Sequence, residues 1–298
     1  MSAISVTASP LDAVNRVLLE ATLRPVQGRR FQPTGFPDLG PATFQLADDT
    51  EMLLVESTQS MANRLEDVGW ERPAQRPVAA LDGLPYVRVV DADGAFLTSS
   101  RLEAHRLASA YVRDAQLHGD SMEKAMLRRL GLRGGVPLDH RALARAVFAL
   151  DPLSLLHGVF FAIKSWPMQP KVARTVSSFI EAEDVRPAEN GGVKRDDVQH
   201  TVTTGRRAEQ GYGWVPFHRR EFTARAIRAY FNVDLVQLRS FGLGDDAERL
   251  LLTLALWEIR SVLDRALRLR TACDLEVSGD VKVTRPEGFA LPSRSDLE

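Results

Sequence analysis

The sequence has a single cysteine, Cys273, in 298 residues. That excludes an intrachain disulfide framework and a cysteine-rich zinc site. Lysine is also scarce: five of the 38 basic residues are lysine and the rest are arginine. Arginine's planar fork matches phosphate oxygens bidentately. Long apolar runs are missing, because the longest, near residues 250–257, falls far short of the ~20 residues a membrane span requires. The first residues show no basic segment leading into an apolar stretch. The expectation is therefore a chain without a signal peptide, in a reducing, cytoplasmic compartment, with no membrane partner. No charge of one sign dominates: 38 basic residues face 39 acidic ones, for a net charge of −1. This excludes a nucleic-acid binder that works by bulk charge and leaves room for a local basic groove. There is no Walker A loop, no His-Glu-x-x-His, no Gly-x-Ser-x-Gly and no internal repeat. What remains is a globular composition, 44% hydrophobic and 26% charged, long enough for one large domain or two ordinary ones.

Apolar periodicity predicts helices over residues 10–24, 57–69, 100–108, 121–130, 139–150 and 245–270. It predicts strands over 42–46, 52–55, 159–163, 176–181 and 275–283. A Gly/Pro-rich segment, 24–41, cannot be a regular helix. Residues 84–90 and 95–98 read as a hairpin across Asp91-Ala92-Asp93-Gly94, a turn rather than a calcium loop because the later ligands are missing. Residues 189–212 are polar and glycine-punctuated and read as a long excursion or hairpin. Residues 285–298 lack periodicity and read as a loose tail. Strands and helices mix without βαβ alternation, so the fold class is α+β.

Two features carry chemistry. The helix opening at Ser57 offers free N–H groups, hydroxyls and an amide, with Arg64 one turn on. Such an end favours a phosphate, so Gln59, Ser60, Asn63 and Arg64 form a candidate grip for a nucleic-acid backbone. The second feature is residues 194–228, with eight basic and four acidic residues and interleaved Tyr212, Trp214, Phe217 and Phe222. Basic residues among aromatics suit a single strand. Competing chemistry rests on His105 or His157 as general acid or base, and on the pair Glu181 and Glu183 as metal ligands.

At these residues the sequence resembles a known family. Glu56-Ser57-Thr58-Gln59-Ser60-Met61-Ala62-Asn63-Arg64 is similar to the Ser-Gln-Ser helix of CRISPR backbone subunits of the RAMP superfamily. Asp38-Leu39-Gly40 stands where those proteins carry an Asp-x-Gly loop. Phe31-Gln32-Pro33-Thr34-Gly35-Phe36, Leu81-Asp82-Gly83-Leu84-Pro85, Thr98-Ser99-Ser100-Arg101, Leu155-Leu156-His157-Gly158 and Ser178-Phe179-Ile180-Glu181 resemble, in order, the type I-G backbone protein. The likeness spans residues 29–275. It implies an RRM-like (ferredoxin-like) palm over 1–284, with a helical insertion at about 100–150 and a protruding thumb at about 189–212. It implies a non-catalytic role: several copies line CRISPR RNA in a Cascade complex and leave its bases free to pair with a target DNA strand. The implied partners are further copies of the chain, a large subunit, guide-end-capping RAMP subunits and a recruited nuclease-helicase; no cofactor is implied. By position, Gln59, Ser60, Asn63 and Arg64 meet RNA, with Asn63 replacing one cation of the family's Lys-Arg pair. Arg206 and Arg207 in the thumb, and Arg29, Arg30, Arg219 and Arg220, are the further RNA candidates. The alternative that the resemblance implies is a RAMP endoribonuclease that processes CRISPR RNA, or cuts target RNA with a metal held by Asp38 or Glu181.

Overall fold

A computed structural model gives the fold and describes residues 11, 13–36, 38–195, 208–210 and 213–298. The first element departs from expectation. Residues 16–25 form strand β1 (Arg16–Pro25), not the end of a helix. Val17, Leu19, Ala21 and Leu23 alternate into the core. That period of two competes with the helical spacing of Leu11, Val14, Leu18 and Ala21, and sheet pairing on both sides decides it.

The chain continues through β2 (Thr43–Gln45), β3 (Glu51–Glu56) and helix α1 (Thr58–Asp67). The next helices are α2 (Met122–Arg129), α3 (His140–Leu150) and α4 (Leu153–His157). Then come β4 (Val176–Glu183), the ribbon β5 (Arg186–Lys194) and β6 (Val215–Thr223), and β7 (Ala226–Asp234). Helices α5 (Leu235–Ser240) and α6 (Asp245–Leu263) precede β8 (Leu267–Arg270), β9 (Cys273–Val277), β10 (Lys282–Arg285) and α7 (Arg294–Leu297).

The main sheet is antiparallel, ordered β8-β9-β1-β7-β4-β3-β2, with β10 also paired to β1. The register sets Leu19 opposite Phe231 and Ile180 opposite Ala229. One face takes α1, through Met61 and Leu65, and α6, through Leu251, Ala255, Ile259 and Val262. On the other face Phe179 stacks on Tyr230 with centroids 5.1 Å apart. The result is a mixed α/β fold on a curled sheet. The curl is visible in hydrogen bonds from the Gly/Pro-rich segment to strands near opposite edges. Gln32 N donates to Ala272 O (2.8 Å), Thr34 N to Val55 O (3.2 Å), and Phe31 and Phe222 exchange both backbone bonds.

Several other expectations are corrected. The last helix stops at Leu263, because Leu267 and Leu269 alternate inward on β8, where Leu267 pairs with Leu275. Residues 100–108 hold only one helical turn, Arg106–Ala108; Ser100 and Arg101 are buried in polar contacts instead. The strand at 159–163 shortens to Val159–Phe160, and 275–283 divides between β9 and β10. The excursion at 189–212 overlaps a ribbon whose arms run from Arg186 to Thr223 in continuous antiparallel register. The terminal segment closes on a helix capped by Ser293, with Leu297 buried and Trp257 Nε1 donating to Glu298 (3.4 Å). Among the described residues no helix is long and apolar enough to cross a membrane.

The core also holds charge. Asp151 accepts from Ser100 Oγ (2.7 Å) and Leu153 N (3.2 Å), with Arg101 Nε at 3.8 Å. Burial pushes the Asp151 carboxyl up from 3.8 to about 6, against the pull of Arg101. Between those values the folded chain keeps a proton that the unfolded chain has released. The contribution of this group is therefore full below about pH 4 and lost as pH rises through about 6. Asp151→Asn is expected to flatten the decline in stability across that window, measured by denaturant midpoints at each pH. An unchanged slope would assign the decline to other groups.

Candidate nucleic-acid interface

The helix predicted at Ser57 forms for local reasons. The Ser57 hydroxyl accepts from Ser60 N at 3.2 Å and satisfies one orphan donor of the first turn. Met61, Ala62 and Leu65 supply its buried stripe. The polar residues then part company. Ser60 Oγ donates to Glu56, a fully buried carboxylate at the end of β3. Arg64 lies 3.7 Å from that carboxylate and donates to the Leu269 and Arg268 carbonyls of β8, while Arg270 completes the pairing from the same strand. Ser60 and Arg64 are thus engaged by the protein at the buried carboxylate, whereas Gln59 and Asn63 are exposed and Gln59 turns to Arg174 instead.

Beside Gln59 lies a cleft of about 410 Å³. Gln59 Oε1 accepts from Arg174 Nη2 at 3.1 Å, and Arg174 Nη1 approaches the Thr58 carbonyl at 3.4 Å. Lys171, His105, His157 and Phe160 complete the working wall, and no carboxylate lines it. Its frame is rigid. Arg106 forks onto Glu66 of α1 (2.6 and 2.8 Å) and donates to Gly158 O (2.9 Å). Gly158 has φ +78°, and a Cβ there would stand 2.9 Å from Val172 O and 3.0 Å from Arg174 N. Gly158→Ala is therefore expected to cost more than about 1 kcal/mol and to displace Arg174. Thermal unfolding checks it; an unchanged midpoint would mean the neighbouring backbone gives way freely. Sequence reasoning gave no role to Lys171, Arg174 or Phe160, which the fold brings into one cleft with Gln59.

A second cleft, about 550 Å³, lies at the base of the β5–β6 ribbon. It gathers Arg29, Arg30 and Arg219 with Gln27 and Asn190. The acidic groups in its wall are Asp274 and the buried Glu221, which accepts from Asn190 Nδ2 (3.2 Å) and lies 3.5 Å from Arg30. Arg219 also sits 5.0 Å over the Phe217 ring. Strand alternation sends the neighbouring Arg220 to the other face of the ribbon, 3.4 Å from Glu189. Of the aromatics in this segment, Phe222 belongs to the core, while Trp214 and Phe217 are exposed. Arg206, Arg207 and Tyr212 lie outside the described residues.

The residues weighed for catalysis are scattered. His157 is buried with Nε2 2.9 Å from Glu258. Burial works against its charged form, but Glu258 and Glu66 outweigh it and raise its pKa. His105 lies on the rim of the first cleft, and Asp38 is exposed in a turn. Burial raises the pKa of Glu181, while Glu183 pairs with Arg225 and with Arg228 (2.6 Å). Among the described residues no three His, Cys, Asp or Glu side chains converge as metal ligands.

A family model described as CRISPR-associated protein GSU0053 matches residues 17–187. No curated protein matches the chain. Among solved structures it is similar to a chain titled "CRISPR RNA-guided surveillance complex, pre-nicking", at 13% identity and a TM-score of 0.43, over 91% of this chain and 79% of that one. It is also similar to Csc2 of Thermofilum pendens, at 10% identity and a TM-score of 0.36, over 94% and 69% of the two chains.

Proposed function

The chain belongs to the CRISPR-associated GSU0053 family, and from that premise we propose that it is a non-catalytic backbone subunit of a type I-G Cascade complex. Several copies line one CRISPR RNA, hold it through its phosphates and leave the bases to pair with a target DNA strand. A large subunit, guide-end-capping RAMP subunits and a recruited nuclease-helicase are its further partners. The palm is RRM-like: with β2, β3, α2–α4, the β5–β6 ribbon and α5 interposed, β1, α1, β4, β7, α6 and the β8–β9 pair give the order strand, helix, strand, strand, helix, strand, and β9, β1, β7 and β4 lie side by side in that order. The β5–β6 ribbon is the thumb.

One observation carries the reading. Arg29 and Arg30 meet Arg219 from a distant part of the chain, and the three line a single cleft. Guanidinium groups gathered in this way bind phosphate oxygens without reading bases, which is the demand a guide-holding scaffold makes. A near-zero net charge fits as well, since copies that stack on one another repel strongly when all are positive.

The test is to co-express the chain with a CRISPR array and its neighbouring subunits, purify the assembly and run its nucleic acid on a denaturing gel. A discrete RNA bound to a large multimer is expected. A nucleic-acid-free monomer under those conditions would overturn the proposal. Cutting of guide-paired target RNA by the same assembly in Mg²⁺ would replace the scaffold with an endoribonuclease.

A further inference from the structure

The cleft beside α1 holds something that a backbone grip does not require. Phe160 faces it and is 48% exposed, while its neighbour Phe161 is fully buried and stacks on Trp166 with centroids 5.7 Å apart. The strand ends at Phe160, and the chain turns the next ring, Phe161, into the core. The pairing of Phe160 with Lys171 then sets the Lys171 ammonium 6.0 Å from the centre of the exposed ring. Arg174 stands three residues further along the same segment, held by Gln59 and the Thr58 carbonyl. The wall also includes His157, 2% exposed, whose Nδ1 has no hydrogen-bond partner among the described residues.

A single exposed phenylalanine is ordinary on a protein surface. This one differs in its setting: a concave site within the usual range for small ligands, Lys171 beside the ring, Arg174 in the same wall, and no carboxylate among the lining residues. An anion bearing a flat apolar group matches that combination, and a nucleotide of a single strand is such a group. Bases stack on aromatic faces while phosphates meet Lys and Arg. We propose that this cleft is a nucleotide subsite, in which Phe160 stacks one base of the bound RNA and Lys171 and Arg174 hold the adjoining phosphate. The inference rests on the RNA-holding reading above and deepens it, because it assigns base contact to a surface separate from the arginines at the ribbon.

Fluorescence anisotropy on the full chain tests it with two probes of equal length, a mixed-sequence single-stranded RNA and its abasic counterpart. Phe160→Ala is expected to weaken binding of the base-bearing RNA about fivefold or more and to leave the abasic strand unaffected. Phe160→Trp is expected to retain or tighten binding. The double change Lys171→Ala/Arg174→Ala is expected to weaken both probes by the same factor and to lower the salt slope by roughly 0.7 per phosphate contact. Equal losses on both probes from Phe160→Ala would make the ring structural and overturn the stacking. No loss on either would overturn it too, while the RNA-holding reading stands as long as the wild-type chain binds. A wild-type chain that binds neither probe would sink both. The ring is half exposed, so the variants should fold, and their thermal midpoints report whether they do.

Discussion

Replacing Glu56 with alanine is expected to lower the unfolding free energy by about 3 kcal/mol, the low end of the range for breaking a buried ion pair. Glu56 is fully buried and accepts the Ser60 hydroxyl, and both Arg64 and Arg270 neutralise it. The two arginine side chains keep 36% and 22% of their surface in contact with water. Their charges therefore rehydrate in part when the partner is lost, which argues for the low end. The pairing also has a mechanical role. Glu56 ends β3, near one edge of the sheet, and Arg270 ends β8 at the other. Breaking it loosens the curl and the start of α1 together. Glu56→Gln keeps an acceptor for Ser60 and should lose less. Denaturant midpoints at constant m-value measure the effect, and a wild-type midpoint for Glu56→Ala would show that the arginines do not need this partner. The same geometry changes what Arg64→Ala means. Its removal takes away a carboxylate partner and two carbonyl bonds, so any loss of RNA affinity has to be judged against the melting temperature of the variant.

The largest effect on binding is expected at the ribbon base. The triple change Arg29→Ala/Arg30→Ala/Arg219→Ala should weaken binding of single-stranded RNA of every sequence alike. It should lower the slope of log affinity against log salt by up to roughly two, at about 0.7 per phosphate contact. Arg30 will contribute least, because it is already shared with Glu221. Arg220→Ala is the matched control. It is next in sequence to Arg219 but faces Glu189 on the opposite side of the ribbon, and should leave the slope nearly unchanged. Titrations at several salt concentrations decide the matter. A preserved slope in the triple variant, or an equal drop in the control, would move the phosphate path elsewhere.

The contrast between Arg219 and Arg220 marks how far the sequence could be read. As a basic cluster the two residues look equivalent, and only the ribbon's pairing register puts one in the cleft and the other outside it. Strand β1 makes the same point for the fold. Residues 16–25 satisfy a helical spacing and an alternating one, and the choice belongs to β7, β9 and β10, which pair with β1 from far along the chain. Residues 264–270 likewise left the predicted helix because β9 offered a partner.

What the sequence determined by itself is what depends on neighbours a few residues apart. The Ser57 cap and apolar stripe of α1, the hairpin beside Asp91 and Gly94, the helices at 122–129 and 140–150, and the ordered motifs of a CRISPR-associated family are all of that kind. Tertiary structure alone decided which polar groups meet. Arg174 reaches Gln59 across 115 positions, and Arg64 reaches Leu269 across 205. It turned Arg64 toward a buried carboxylate, brought Arg29 and Arg30 to Arg219, and put Phe160, Lys171 and Arg174 in the wall of one cleft. Short-range periodicity carries no information about such meetings, because each is fixed by the register of strands that pair over long separations and by the curl that brings the sheet's edges together.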